Sequence, residues 1–401
     1  MTAAALDGVV VLDISQLIAG PLAAALLGDL GANVIKVEPP DGDKGRFLGP
    51  VAVDEGRSTT FIAANRNKRS IVLDAKSPTG RDALRTLIAA ADVVITSFRS
   101  STAQRLGLSQ EDLEAVNPRL ISCSITGYGE TGPLAGQPAL DYAVQARSGF
   151  MAISGFADTP ARVAVTVIDI ATAQTAAQGI LAALFHRARS GRGQQVRVSL
   201  YDTALALQMT PLSAYLRTGK QPPRTGNATL LGAPADLFPT ADGHIVVNAY
   251  FPAQWTALCG VLGRPELAAD PRFAHNASRL EHLDELFDVL SARFETRTTA
   301  DWLAVLEHVD IVASPICTYA DVEAAEQTRI NQMIVERDDP HAGRMRGIGS
   351  PLKMSLTPPS PVHRPAPKLG EHTAEILHEF NAGETVTGTR AAEAAWPTTA
   401  R

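Results

Sequence analysis

The stretch VVVLDISQLIAGPLAAALLGDLGANVIKVE, Val9 to Glu38, decides the fold. Val9–Ser15 reads as a buried strand, Pro21–Leu30 as a helix closed by Gly31, and Asn33–Glu38 as a second strand. Two apolar strands joined by a helix run parallel, with a right-handed crossover. The alternation continues outward: a strand at Ser70–Asp74, a helix at Pro78–Ala91, a strand at Asp92–Phe98, a helix at Gln110–Val116 and a strand at Arg119–Thr126. The pattern predicts an α/β protein with a Rossmann-like parallel sheet, whose ligands lie at the carboxyl ends of the strands. A dinucleotide site would need G-x-G-x-x-G after the first strand and an acid closing the second. Glu38 stands at the acid position, but the turn reads Ser15-Gln16-Leu17-Ile18-Ala19-Gly20-Pro21 and has no phosphate cradle, which argues against NAD.

The chain has 401 residues, enough for two lobes, and 45% of them are hydrophobic, enough for a sizeable core. A net charge of −6 argues against a nucleic-acid partner. Cys123, Cys259 and Cys317 are scattered and odd in number, which fits reduced thiols better than a disulfide framework. The first residues carry no basic leader, and no apolar run of about 20 residues is evident, so a cytoplasmic protein with no membrane partner is expected. His282 and His308 lack metal-ligand spacing with each other or with Cys, so no metal is expected.

Two stretches carry candidate chemistry. From Val163 to Tyr201 a β-rich approach, Val163–Ile168, runs into Asp169, then a helix over Ala171–Arg189, a Ser190–Gly193 stop and the strand VRVSLY. An acid before a helix sits near backbone N–H groups. It is either a cap or a functional carboxylate, and the local pattern leaves both open. The run Asn65–Lys76 is dense in cations around a strand: it is either a solvated basic loop or a pocket for phosphates. Asp141 is a second acid, read equally as a helix cap or as a group near the site.

These residues resemble the class III CoA-transferases, the CaiB/BaiF family. The resemblance rests on Ala19-Gly20-Pro21 and Asp29–Pro39, and on Asn67-Lys68-Arg69-Ser70-Ile71 with Leu73-Asp74. It continues through Ala91–Phe98, Arg105–Gly107, Gly127-Tyr128-Gly129 and Asp141–Gly149, then Asp169 with Gly179–Leu184 and Gly191–Gln194, and Leu262–Phe273. It implies a Rossmann-like large domain over 1–204, a linker over 205–225, a smaller α+β domain over 226–325, and a return segment over 326–401 that packs on the large domain. It implies an interlocked homodimer. It makes Asp169 the nucleophile and places CoA on Gln16, Leu17, Ala19, Lys68, Arg69, Leu73, Lys76, Phe98 and Arg105. Acyl-CoA and a free carboxylic acid would be the substrates, with coenzyme A carried as substrate and no permanently bound cofactor. Backbone N–H groups at the start of the Asp169 helix are expected as oxyanion donors. The sequence departs from the family at Ala173, where Gly is common and a methyl would narrow the acyl space, and at Ser97 and Ser100-Ser101, which replace Asn and Pro-Gly and free the backbone there. The alternative is an α-methylacyl-CoA racemase, which shares the fold and carries a His immediately before the second acid. Here that residue is Leu140, and no His precedes His186. The tail after Ala382, rich in Ala, Thr and Glu, is expected to be poorly ordered.

Overall fold

The computed structural model describes residues 4–49, 52–54, 56–359 and 364–381, so the tail expected to be poorly ordered lies outside the described residues. The chain divides into two compact units. One comprises Met1–Ser148, Val163–Leu216 and Glu326–Arg401, the other Gly149–Arg162 and Arg217–Ala325. Gly149–Arg162, read from sequence as part of 1–204, therefore clusters with the second unit.

The first unit is built on β1 (Val10–Asp13), α1 (Ala19–Asp29), β2 (Asn33–Glu38), β3 (Lys68–Val72), α2 (Pro78–Ala90), β4 (Val93–Thr96), α3 (Gln110–Val116) and β5 (Ile121–Thr126). It continues with α4 (Asp141–Arg147), α5 (Val167–Ser190), β6 (Gln194–Ser199) and α6 (Leu200–Leu207). The six strands form one sheet in the order β6-β5-β4-β1-β2-β3, and every pairing is parallel. This is the doubly wound Rossmann order, in which the direction of winding reverses between β1 and β4. The expected parallel α/β sheet is present. The expected strand at Val163–Ile168 is not: α5 already begins at Val167.

The strands are apolar because helices cover both faces. Val11, Leu12, Ile35, Val93, Val94, Ile95 and Ile121 have essentially no solvent contact. α5 packs on α1, β5 and β6. A glycine makes that approach close: a Cβ on Gly179 would sit 2.7 Å from Val196 Cγ1 of β6. Contrary to the sequence expectation, α5 is by length and composition apolar enough to cross a membrane. Within the unit it buries Ile168, Thr172, Ala173, Ala176, Ala177, Ile180 and Ala183, a stripe at helical spacing.

Around the carboxyl ends of the central strands β1 and β2 lies a buried ionic cluster. Asp13, Glu38 and Asp43 face Lys36, Arg46 and Lys68, each at most 2% exposed. Lys36 Nζ lies 2.8 Å from Asp43 and 3.4 Å from Asp13. Lys68 Nζ lies 2.8 Å from Asp13, and Arg46 grips Glu38 through two bonds of 2.7 and 2.6 Å. Burial pushes the Asp13 carboxyl up, but Lys36 and Lys68 more than offset it and bring it down to about 2.

After the second unit the chain returns with β10 (Ile334–Asp339) and β11 (Gly343–Ile348), an antiparallel pair, and α10 (Thr373–Asn381). This segment covers the free edge of β3. His372 N donates to Ser70 O, Val72 N to Thr373 Oγ1 and Gly370 N to Ser70 Oγ. An edge so covered cannot template pairing with another chain. The second unit is organised around a three-stranded antiparallel sheet, with β7 (Ala235–Thr240), β8 (Gly243–Asn248) and β9 (Val312–Pro315) in sequence order. The helices α7 (Pro252–Val261), α8 (Leu283–Phe294) and α9 (Thr299–Glu307) belong to the same unit. Its core gathers Phe238, Trp255, Phe273, Phe294 and Trp302. A short helix, Asn276–Glu281, precedes α8 and is separated from it at His282, whose φ of −117° and ψ of 38° are not helical.

Lys36→Ala removes the cation between two buried carboxylates, leaving Asp43 without its ion pair and Asp13 with Lys68 alone. It is expected to lower the unfolding free energy by about 3–5 kcal/mol, read from urea denaturation, and a loss below about 1 kcal/mol would contradict the cluster's role.

Candidate active site

All six strands point the same way, so their carboxyl ends share one edge. The loop after β1 and the loop after β4 meet there, at the reversal point of the sheet. Gln16 N donates to Ser97 Oγ over 2.9 Å, which ties the two loops together. Leu17 adopts a left-handed conformation, φ +70°, costly for a residue with a branched side chain. Its N–H is held by Asp43 Oδ1 at 3.0 Å, so the buried ionic cluster sets the backbone of this loop. Ala19 follows as the first residue of α1. Phe98, half-buried, leaves the end of β4, and Arg105 closes a short helix, Ser100–Arg105, with its guanidinium 3.2 Å from Thr102 Oγ1. The Ser100-Ser101 pair, read as freeing the backbone, in fact starts this helix. Leu73 and Lys76 sit just past β3 on the same edge, Leu73 buried and Lys76 exposed.

Lys68 and Arg69 do not join them. In a strand, neighbouring side chains leave on opposite faces. Lys68 turns inward, where Asp13, Pro21 O and Asn65 Oδ1 take its three donors at 2.7–2.8 Å. Arg69 turns outward, with Glu375 and Glu379 of α10 at 2.6 Å each. The basic run is thus not a phosphate pocket at these two positions, and both cations are structural. Their partners lie about 50 and 300 residues away, which no local pattern reveals. Glu38, the candidate ribose acid, is likewise closed off by Arg46 and by Ser70 Oγ at 2.7 Å.

α5 leads into β6 and runs against the strands, so its N-terminus lies at the same carboxyl edge. Asp169 is the third residue of α5 and projects from its buried face, one turn above Thr172 and Ala173. Ala173 is fully buried, so its methyl packs inside the protein and narrows no open space. The Thr172 hydroxyl is also fully buried and lacks a hydrogen-bond partner among the described residues.

The N-terminus of α5 is capped from another helix. Asp141 Oδ2 accepts from Ile168 N at 2.8 Å and from Asp169 N at 3.0 Å. Asp141 Oδ1 accepts from Gln145 Nε2 at 2.6 Å, and Gln145 Oε1 accepts from Val163 N at 3.0 Å. Both readings of Asp141 therefore hold in part: it is a cap, and it stands beside Asp169. The remaining first-turn donors are also used, Val167 N by Val165 O and Ile170 N by Thr166 O. The start of α5 therefore offers no free N–H for an oxyanion, which corrects the sequence expectation. Burial, and then the negative charge of Asp141, push the Asp169 carboxyl up from 3.8 to about 7. Among the described residues no group of His, Cys, Asp or Glu is placed to hold a metal.

The family model for CoA-transferase family III matches residues 6–373. A succinate–glutarate CoA-transferase of Agrobacterium fabrum is 38% identical over 94% of this chain and 95% of its own length. An acetyl-CoA:oxalate CoA-transferase of Acetobacter aceti is also 38% identical, over 94% of this chain and 96% of its own length. The crystal structure of a CaiB/BaiF family protein from Brucella suis superposes with a TM-score of 0.84 at 37% identity, covering 94% of this chain and 100% of that one. The chain belongs to CoA-transferase family III, and it is a class III CoA-transferase.

A carboxyl raised to about 7 holds its proton more tightly in the folded than in the unfolded chain. It therefore costs stability above pH 7, and that cost is gone below about pH 4. Asp169→Asn is expected to raise the unfolding free energy at pH 8 by roughly 1–2 kcal/mol and to do nothing at pH 4, measured by denaturation at both pH values.

Proposed function

We propose that Asp169 is the nucleophile of CoA transfer from an acyl-CoA donor to a free carboxylate. One observation carries this reading. The Asp169 carboxyl stands on the buried face of α5, at the ligand-binding edge of the sheet, with no hydrogen-bond or ion-pair partner among the described residues. A half-buried acid in that state is either a functional group or an unexplained cost.

The carboxylate oxygen attacks the thioester carbonyl and expels CoA thiolate, leaving a mixed anhydride. The thiolate attacks the aspartyl carbonyl, which releases the first acid and leaves Asp169 as a CoA thioester. The acceptor carboxylate attacks that thioester, expels the thiolate again and forms a second anhydride. Attack of the thiolate on the acyl carbonyl then frees Asp169 and the new acyl-CoA. Each step exchanges one activated acyl group for another, so covalent catalysis divides one difficult exchange into four easier ones. The CoA site we assign to Gln16, Leu17, Ala19, Leu73, Lys76, Phe98 and Arg105. Succinate, glutarate and oxalate in the relatives' names are short dicarboxylic acids, and we take a short dicarboxylate as the acceptor class here.

The active form we propose is an interlocked homodimer. Exposed apolar side chains in the first unit support an interface, among them Met209, Leu216, Ile348 and Leu356, each more than 70% exposed. The three unpaired thiols support a reducing compartment.

Asp169→Ala is expected to abolish exchange of labelled acids, with CoA binding within about twofold of the wild type. Borohydride or hydroxylamine added during turnover should mark Asp169, as read by mass spectrometry of the peptide. Full activity in the alanine variant refutes the reading. With a 2-methylacyl-CoA in deuterium oxide the α-carbon should stay protiated, because Leu140 replaces the imidazole that a racemase needs. Rapid deuterium entry without acyl exchange would reassign the chain to proton transfer. Lys76→Ala should raise KM for acyl-CoA about five- to tenfold with kcat unchanged. Lys68→Ala should instead lower stability, since its ammonium serves Asp13.

A further inference from the structure

We propose that Asp141 is the positioning residue of the transfer reaction: its carboxylate fixes where Asp169 points and strengthens it as a nucleophile. The inference rests on the assignment of Asp169 as nucleophile and adds what sets its reactivity.

The geometry is specific. A single oxygen, Asp141 Oδ2, accepts the N–H of Asp169 itself at 3.0 Å and the N–H of the preceding residue, Ile168, at 2.8 Å. Two bonds to consecutive amides fix the first turn of α5 and with it the Cα–Cβ direction of Asp169. Asp141 is itself held. Its other oxygen receives Gln145 Nε2 at 2.6 Å, and Gln145, fully buried, anchors to Val163 N at 3.0 Å. Val163 begins the segment leading to α5, so both ends of the approach to Asp169 are tied to one helix, α4. Asp141 is 5% exposed, so water does not compete for these bonds. α5 has no side-chain cap of its own, because its N-cap residue Thr166 makes no such bond. The cap has been supplied from 27 residues away, by a carboxylate next to the nucleophile.

The negative charge of Asp141 has a chemical consequence. A neutral cap such as Ser would satisfy the same N–H groups without it. An anionic cap occupies the positive end of the helix, which would otherwise acidify Asp169, and repels a second negative charge beside it. Asp169 thus becomes more basic, in keeping with its rise to about 7. A more basic carboxylate is a better nucleophile towards a thioester, and a poorer leaving group from the anhydride it forms. Both effects bring anhydride and thioester closer in energy.

No other charge competes for this role. On the elements packed against α5, α4 also carries Tyr142 and Arg147, α6 carries Tyr201 and Asp202, β5 carries Cys123, β6 carries Arg197, and α1 carries Asp29. Asp29 is paired with Arg66, and Arg197 faces Glu130. His186, Arg187 and Arg189 lie at the opposite end of α5 itself. Asp141 is the one whose charge acts on Asp169.

The test compares Asp141→Asn and Asp141→Ala with the wild-type enzyme by steady-state exchange, pH profile and trapping. Asn keeps an oxygen for the two amides and loses the charge. The acid limb of kcat/KM for Asp141→Asn should move down by about one unit and kcat should fall about tenfold, with KM for acyl-CoA within about twofold. Ala loses the amide contacts as well, and kcat should fall a further tenfold or so. A merely structural cap predicts lost thermal stability with an unmoved acid limb. If Asp141→Asn folds poorly, Gln145→Met, which frees Asp141 Oδ1, should reproduce the drop in kcat in milder form. A wild-type acid limb and kcat in Asp141→Asn overturn the proposal, provided that borohydride still marks Asp169 in the wild type. If Asp169 goes unmarked in the wild type, the nucleophile assignment has failed instead.

Discussion

Six charges with almost no access to water, three of each sign, hold the loop between β1 and α1. Asp13, Glu38 and Asp43 balance Lys36, Arg46 and Lys68, so the burial carries no net charge. Each ion would be costly alone, and the cluster stands because every one has partners. Its product is a backbone shape: Asp43 holds Leu17 N, Lys36 reaches Ser15 O at 2.5 Å, and Asp13 accepts Ser15 N at 3.0 Å. Leu17 can then remain left-handed at the reversal point of the sheet, where a loop without such anchors would relax. A glycine-rich phosphate loop reaches a similar end through conformational freedom. Here electrostatics impose the shape on ordinary residues.

The Asp169 helix follows the same economy of partners in another form. Every first-turn N–H of α5 is taken, two of them by one buried oxygen of Asp141. What is left unpaired is the carboxyl of Asp169. Structure and reactivity pull apart at this point: neutralising the acid would stabilise the fold, while the proposed chemistry needs it ionised. Functional sites commonly hold such local costs.

The return segment links the two ends of the chain within the first unit. Arg57 pairs with Asp339 at 2.8 Å and donates to Ala366 O at 2.9 Å, while Arg46 reaches Pro367 O at 3.2 Å. Residues more than 250 positions apart thus complete the surroundings of β3 and of the ionic cluster. Loss of the segment would expose the β3 edge and leave Arg57 and Arg69 short of their acids.

The sequence by itself determined the class of fold, because apolar strands alternating with helices admit few arrangements other than a parallel sheet. It also determined the family, through motifs spread in order along the chain, and singled out Asp169 and the residues after β1, β3 and β4. Strand ends drifted by a residue or two, and Ser70–Asp74 proved to start at Lys68. The tertiary structure alone decided what Lys68, Arg69 and Asp141 do. A cation-rich run looks the same whether it meets phosphate or carboxylate, and the carboxylates come from Asp13, Glu375 and Glu379, distant in the chain. The start of α5 was misjudged for a related reason. β-branched Val163, Val165, Thr166, Val167 and Ile168 favour a strand locally, but a carboxylate from α4 captures two of the amides and begins the helix there. Local propensity is written in adjacent residues, whereas hydrogen-bond partners are chosen by the folded chain.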